Sequence, residues 1–230
     1  GHLVLVPAVF GREGPDLATS AVLHLGTLAA VLAYFRGEVS QILRFTPEGR
    51  SLLRLLIIGT IPAAAIGLVL SNQLDRINED PGIVAIAMVL TGVMMIATRW
   101  IDLGARKLES AGTSDAVFIG LAQALALVPG VSRSGTTIAA GLQRGFERHD
   151  AARFSFLLGI PAIAGGGLIS FIQLSDEGGS LGLDLLVGVV VAAIVGYLAI
   201  ALLLKILRAA GLVPFGIYCV AAGSLAFVLV

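Results

Sequence analysis

The chain has 230 residues, 57% of them hydrophobic and 13% charged, with 15 basic and 15 acidic side chains and no net charge. Mean hydropathy is +0.97. A soluble domain carries about 25% charge, so this composition excludes one, and the balanced charge offers nucleic acid no basic surface.

Apolar windows of about 20 residues, enough to cross a bilayer as helix, recur along the chain. A membrane barrel would instead show strands of about ten alternating residues. The expected fold class is all-α and integral to the membrane. The chain opens on Gly1-His2-Leu3 without an initiator methionine and is expected to continue a longer protein. Gly1–Phe10 is apolar but too short to cross. Six spans are predicted after it, at Thr19–Phe35, Leu52–Leu70, Gly82–Trp100, Phe154–Leu174, Leu185–Leu207 and Leu212–Val230. Ala116–Gly145 is interrupted by Pro129-Gly130 and by Ser132-Arg133-Ser134-Gly135. It and Gly1–Phe10 read as arms of re-entrant hairpins, where irregular backbone is tolerated because it lines a cavity or is buried in protein.

The connections alternate in charge. Arg36, Arg44, Arg50 and Arg54 flank one, Arg99, Arg106 and Lys107 a second, Arg144, Arg148 and Arg153 a third, Lys205 and Arg208 a fourth. Asp75, Glu79 and Asp80, and then Asp176, Glu177 and Asp184, mark the opposite side. Basic loops lie inside, so all six spans alternate without conflict. The two hairpins then enter from opposite faces, each followed by three spans, which suggests an inverted repeat with polar tips near mid-membrane. The expected architecture is a single membrane domain, 1–230. Residues 1–113 would form a first repeat lacking its amino-terminal hairpin arm, and 114–230 the second. A competing similarity links Arg54–Gly67 with Arg153–Gly166, two segments that the charge rule runs in the same direction.

The chemistry concentrates in Pro129–Thr137, which holds four hydroxyls, one guanidinium and two glycines between apolar stretches. An arginine at a helix centre in the bilayer costs roughly 2.5–3.5 kcal/mol on translocon scales, so the group needs a compensating ligand. Arg133 offers a planar fork of donors suited to two phosphate oxygens. Ser132, Ser134 and Thr137 add hydroxyls, while Gly130 and Gly135 permit close backbone approach. Pro129-Gly130 should end the incoming arm, and Thr136-Thr137 should open the next helix, aiming free N–H groups at an anion. The alternative is an arginine that snorkels to the interface or pairs with a carboxylate.

His2, near the tip of the first hairpin, suits proton transfer near neutral pH. Gln123 lies on the arm leading into the second hairpin, placed either to bond across to the other repeat or to satisfy a backbone carbonyl. A transporter or lipid flippase with a midplane anion site shares this architecture and stays open as the alternative function. A membrane phosphatase that pairs Ser-Arg with a histidine six residues after the arginine is disfavoured, because that position is Ala139.

"PGVSRSGTT", with "RFSFLLGIPA" downstream and "GHLVL" at the start, resembles the undecaprenyl-diphosphatases, or bacitracin-resistance proteins, over essentially the whole chain. The resemblance implies a bacterial inner-membrane enzyme that removes one phosphate from a polyprenyl diphosphate and returns the lipid carrier to cell-wall synthesis. It also implies six spans with two opposed hairpins, and a divalent cation, Mg2+ or Ca2+. A homodimer is left open. By motif, Ser132, Arg133, Ser134, Gly135 and Thr137 fall on the family's second signature, and His2 on the histidine that closes its first. The two glutamates and the serine pair of that first signature are not in this sequence, so no metal ligand can be named. The chain as it begins is expected to bind weakly and to hydrolyse nothing.

Overall fold

Proline and glycine set the helix limits. Asp80 caps one helix, its carboxylate accepting from the Ile83 N–H at 3.1 Å, with Pro81 at the first helical position, where a missing N–H costs nothing. Phe10-Gly11, with Gly11 at φ +60°, closes the first short helix. The computed structural model describes residues 2–12, 17–78, 80–101, 104–176 and 183–230. Glu79 and Glu177 of the acidic connections, and Gly1, lie outside the described residues, as do the side chains of Asp75, Asp176 and Asp184.

The described residues form α1 (His2–Val9), α2 (Leu17–Tyr34), α3 (Arg36–Leu43), α4 (Pro47–Asn78), α5 (Pro81–Ala97), α6 (Thr113–Leu125), α7 (Arg133–Gln143), α8 (Arg148–Asp176), α9 (Leu183–Ala210) and α10 (Val213–Leu229). The expected all-α membrane class holds: among these residues there is no strand, only an isolated bridge between Arg106 and Phe146. Among the described residues three helices are long and apolar enough to cross a bilayer, Pro47–Leu70, Pro81–Trp100 and Leu185–Ala210. Val22–Tyr34 and Arg36–Leu43 meet at 84° and count as a fourth only if the bent pair is one span.

Two compact units divide the chain. The first joins Gly1–Gly14, Ile57–Ser155 and Ile206–Val230. In it α10 lies along α5 at glycine contacts: a Cβ on Gly92 would stand 2.7 Å from the Gly216 carbonyl oxygen, and one on Gly223 2.9 Å from that of Ala85. These pairs make the two helices antiparallel, and only small residues permit such an approach. α1 packs on α5 and α10, burying Leu5 with Val84, Ala85, Met88 and Ala226. The second unit joins Pro15–Leu56 and Phe156–Lys205. There Gly26 fits against Val189 and Ala192, Gly196 against Ala30, and Phe35 stacks with Phe156 at 5.9 Å.

Candidate phosphate-binding site

α6 and α7 pack as the two arms of a helical hairpin, and the break between them follows from Pro129-Gly130. Gly130 has φ +95°, a conformation that favours glycine. A Cβ there would also collide with the Val84 carbonyl and meet Ala87 on α5. The tip of the hairpin therefore leans on the same turn of α5 that receives Leu5 of α1. That shared turn brings the His2 helix and the Gly130 tip to one level of the first unit.

The second arm begins earlier than the sequence suggested. α7 starts at Arg133, not at Thr136, because the Ser132 hydroxyl serves as N-cap and accepts from the Gly135 N–H at 3.2 Å. Thr136 N–H closes the first turn onto the Ser132 carbonyl at 2.9 Å. The amides of Arg133 and Ser134 are thus left without an intrahelical partner, at the positive end of the helix dipole.

The threonines are already engaged. Thr136 Oγ1 donates to the Ser132 carbonyl at 2.8 Å, and Thr137 Oγ1 to that of Arg133 at 2.7 Å. Thr137 also shares a 2.6 Å hydrogen bond with Ser155 on α8. Gly135 serves packing, since a Cβ would lie 2.8 Å from Met95 Sδ and 3.0 Å from the capping Ser132 oxygen. What stays uncommitted at the head of α7 is the Arg133 side chain and the Ser134 hydroxyl, neither with a hydrogen-bond partner among the described residues. Arg133 Nη1 is buried and unpartnered. The pairing with a carboxylate that the sequence left open falls to other arginines.

Those arginines fasten the hairpin's open end. Asp115, with a side chain 3% exposed, pairs with Arg106 at 2.8 Å and Arg144 at 2.7 Å and accepts from the Gly112 N–H at 3.0 Å. Burial alone would raise this carboxyl; the bonds from Arg106, the Gly112 amide and Arg144 outweigh it and hold it down at about 2. Arg106 also donates to the Arg144 carbonyl at 2.6 Å and lies over the Phe146 ring at 4.7 Å. Sequence reasoning passed over Asp115. Its signal was an acid at the third position of a helix, with arginines in the segments on both sides.

His2 is exposed, and its Nε2 hydrogen-bonds Tyr218 Oη of α10 at 2.7 Å, with the rings stacked at 5.6 Å. Among the described residues no hydrogen bond joins His2 to a side chain of Pro129–Thr137; its ring is held by Tyr218. His149, which the sequence gave no role, contacts Asp150 at 3.3 Å.

The implied divalent cation does not fit the described residues at this segment. Mg2+ and Ca2+ take several oxygen ligands, chiefly carboxylates, and α1, α5, α7 and α10 carry none. Glu147, His149 and Asp150 do present ligand atoms within 4.8 Å of one another. Yet Glu147 pairs with Lys107 at 2.5 Å, and Asp150 accepts from the Leu108 N–H at 2.9 Å.

Comparison with known proteins decides the family. The model of the bacitracin resistance protein BacA family matches residues 1–225. The undecaprenyl-diphosphatase of Thermomicrobium roseum is 41% identical over 254 aligned positions, covering 100% of this chain and 90% of that protein. Those of Trichlorobacter lovleyi and of a Synechococcus species are 38% and 41% identical, covering 97% and 100% of this chain and 86% and 85% of theirs. The chain belongs to the bacitracin-resistance family. Within this family member, the hairpin that carries "PGVSRSGTT" is the segment on which the sequence resemblance and the buried, unpartnered Arg133 Nη1 coincide.

Proposed function

We propose that the protein hydrolyses undecaprenyl diphosphate to the monophosphate and inorganic phosphate, the activity for which its relatives are named, and so returns the lipid carrier to cell-wall synthesis and confers bacitracin resistance. The observation that carries this is Arg133: a guanidinium at the capped start of α7, with Nη1 buried and no partner. A buried donor without an acceptor is costly, and a phosphate oxygen supplies the acceptor. The free amides of Arg133 and Ser134 and the Ser134 hydroxyl add donors beside it. Cleavage of a phosphoanhydride rests on positioning and charge stabilisation. In this reading an attacking oxygen, water's in the net reaction, bonds to the terminal phosphorus while the bond to the bridging oxygen breaks and the monophosphate departs with that electron pair. Arg133 neutralises the charge spread over the transferred group. His2, its ring held by Tyr218, assists proton transfer.

An apolar groove of about 500 Å³, lined by Ile66, Met94, Leu121, Val128, Thr136 and Ala139, runs from the same segment and suits a lipid tail. The wider reading has six spans and two re-entrant hairpins in a bacterial inner membrane, with basic loops on the cytoplasmic side. The test is phosphate release from a polyprenyl diphosphate in detergent, without any gradient. The chain as it stands is assayed beside a form extended ahead of Gly1 by the first family signature. Release by the extended form that depends on Arg133 supports the function. Release unaffected by Arg133→Ala, or none from either form, overturns it.

A further inference from the structure

Beyond Arg133 Nη1, the only buried side-chain polar atoms among the described residues that lack any partner are Nε2 and Oε1 of Gln123. The residue is 2% exposed. A carboxamide in that position forfeits hydration at two atoms, and an apolar residue of equal size would pack there without that cost.

Its place in the hairpin gives the reason. Gln123 continues the buried stripe of Ala116, Ile119 and Gly120 along α6, while Phe118, Leu121 and Leu125 face outward. On α7 the buried stripe carries Thr137, which reaches Ser155, and Arg133 lies one turn before it. The arms are tied at their open ends by Asp115 and Arg144. Counting about 1.5 Å per residue from that tie, Gln123 lies level with Thr136, and Arg133 is about one turn further toward the tip. Both unpartnered groups thus sit on neighbouring turns of one hairpin, Gln123 on the stripe of α6 that also meets α4 where Gly120 packs on the Gly59 carbonyl.

We infer that Gln123 is a second headgroup-binding residue. Nε2 donates to a phosphate oxygen, and Oε1 accepts from a P–OH or a water that hydrates the headgroup. A bare anion would satisfy only Nε2. A phosphate end that keeps a P–OH or a bound water satisfies both atoms. The inference rests on the proposed function, since it requires a diphosphate at Arg133.

The experiment measures binding of a methylene-bridged polyprenyl diphosphate, together with KM, kcat and melting temperature, in both forms of the protein. Gln123→Met keeps the volume and removes the polar atoms. The expected result is a melting temperature equal to or above wild type, with probe binding weaker by about 10- to 100-fold, the loss of a hydrogen bond to a charged group. Gln123→Glu keeps the shape and should bind the probe poorly at pH 8 and better at pH 5, as the new carboxyl is protonated. Should Q123M melt poorly, Q123E supplies the answer through this pH dependence. Wild-type affinity in Q123M, or pH-independent wild-type affinity in Q123E, overturns the inference and leaves Arg133 untouched. If wild type and Arg133→Ala bind the probe equally, the proposed function itself has failed.

Discussion

Replacing Asp115 by asparagine should loosen the hairpin that presents Arg133. The carboxylate is nearly inaccessible and bonded to Arg106, Arg144 and the Gly112 amide. Its fall from 3.8 to about 2 on folding corresponds to about 2.4 kcal/mol at 1.36 kcal/mol per pH unit. The arginines are more than a third exposed, and water screens their share, so a loss of about 1–2 kcal/mol is expected. For a chain of this size that lowers the melting temperature by about 2–8 °C. The sign with pH follows from a depressed carboxyl: the contribution is whole above 3.8 and drains away as pH falls through 3.8 toward 2. Thermal melting in detergent of wild type and D115N should therefore show a gap at pH 7 that closes near pH 2. Equal melting at pH 7, or a gap that persists unchanged in acid, would refute the clamp.

Gly130→Ala should destabilise by about 1–3 kcal/mol, because φ is positive there and a Cβ meets the Val84 carbonyl; unchanged melting would show the tip to be free of α5. Thr137→Val should lower stability by about 1–3 kcal/mol through the orphaned Ser155 hydroxyl, while probe affinity holds. Ser134→Ala should do the reverse, with melting unchanged and affinity lower by about 10-fold. Chelation with EDTA should stop turnover in the extended form yet leave the Arg133-dependent affinity for the bridged diphosphate, since the described residues beside Arg133 hold no carboxylate; loss of that affinity would place the cation at Arg133.

Much of this site was legible because proline and glycine act locally. Pro129-Gly130 breaks the hairpin as read, while the start of the second arm was misplaced at Thr136-Thr137 because the Ser132 hydroxyl caps α7 three residues earlier. The threonines were harder to read. A hydroxyl looks equally available in any string, yet here one i−4 carbonyl claims each of them, and α8 claims Thr137 again. Asp115 was passed over although its place in the first turn of α6 marks it as a capping acid; what no local pattern encodes is its pairing with Arg144, or that of Tyr218 with His2, across long sequence separations. Pro62 and Pro161, the shared feature of the two similar apolar segments, both lie inside helices, α4 and α8.

The central claim is that the Arg133 guanidinium grips a diphosphate, and affinity for the methylene-bridged polyprenyl diphosphate measures it directly in wild type, Arg133→Lys and Arg133→Ala. Loss of the fork should weaken binding in the lysine variant, and loss of the charge should weaken it by at least about 100-fold in the alanine variant, both proteins melting no lower than wild type. Affinity in Arg133→Ala equal to that of wild type would contradict the account.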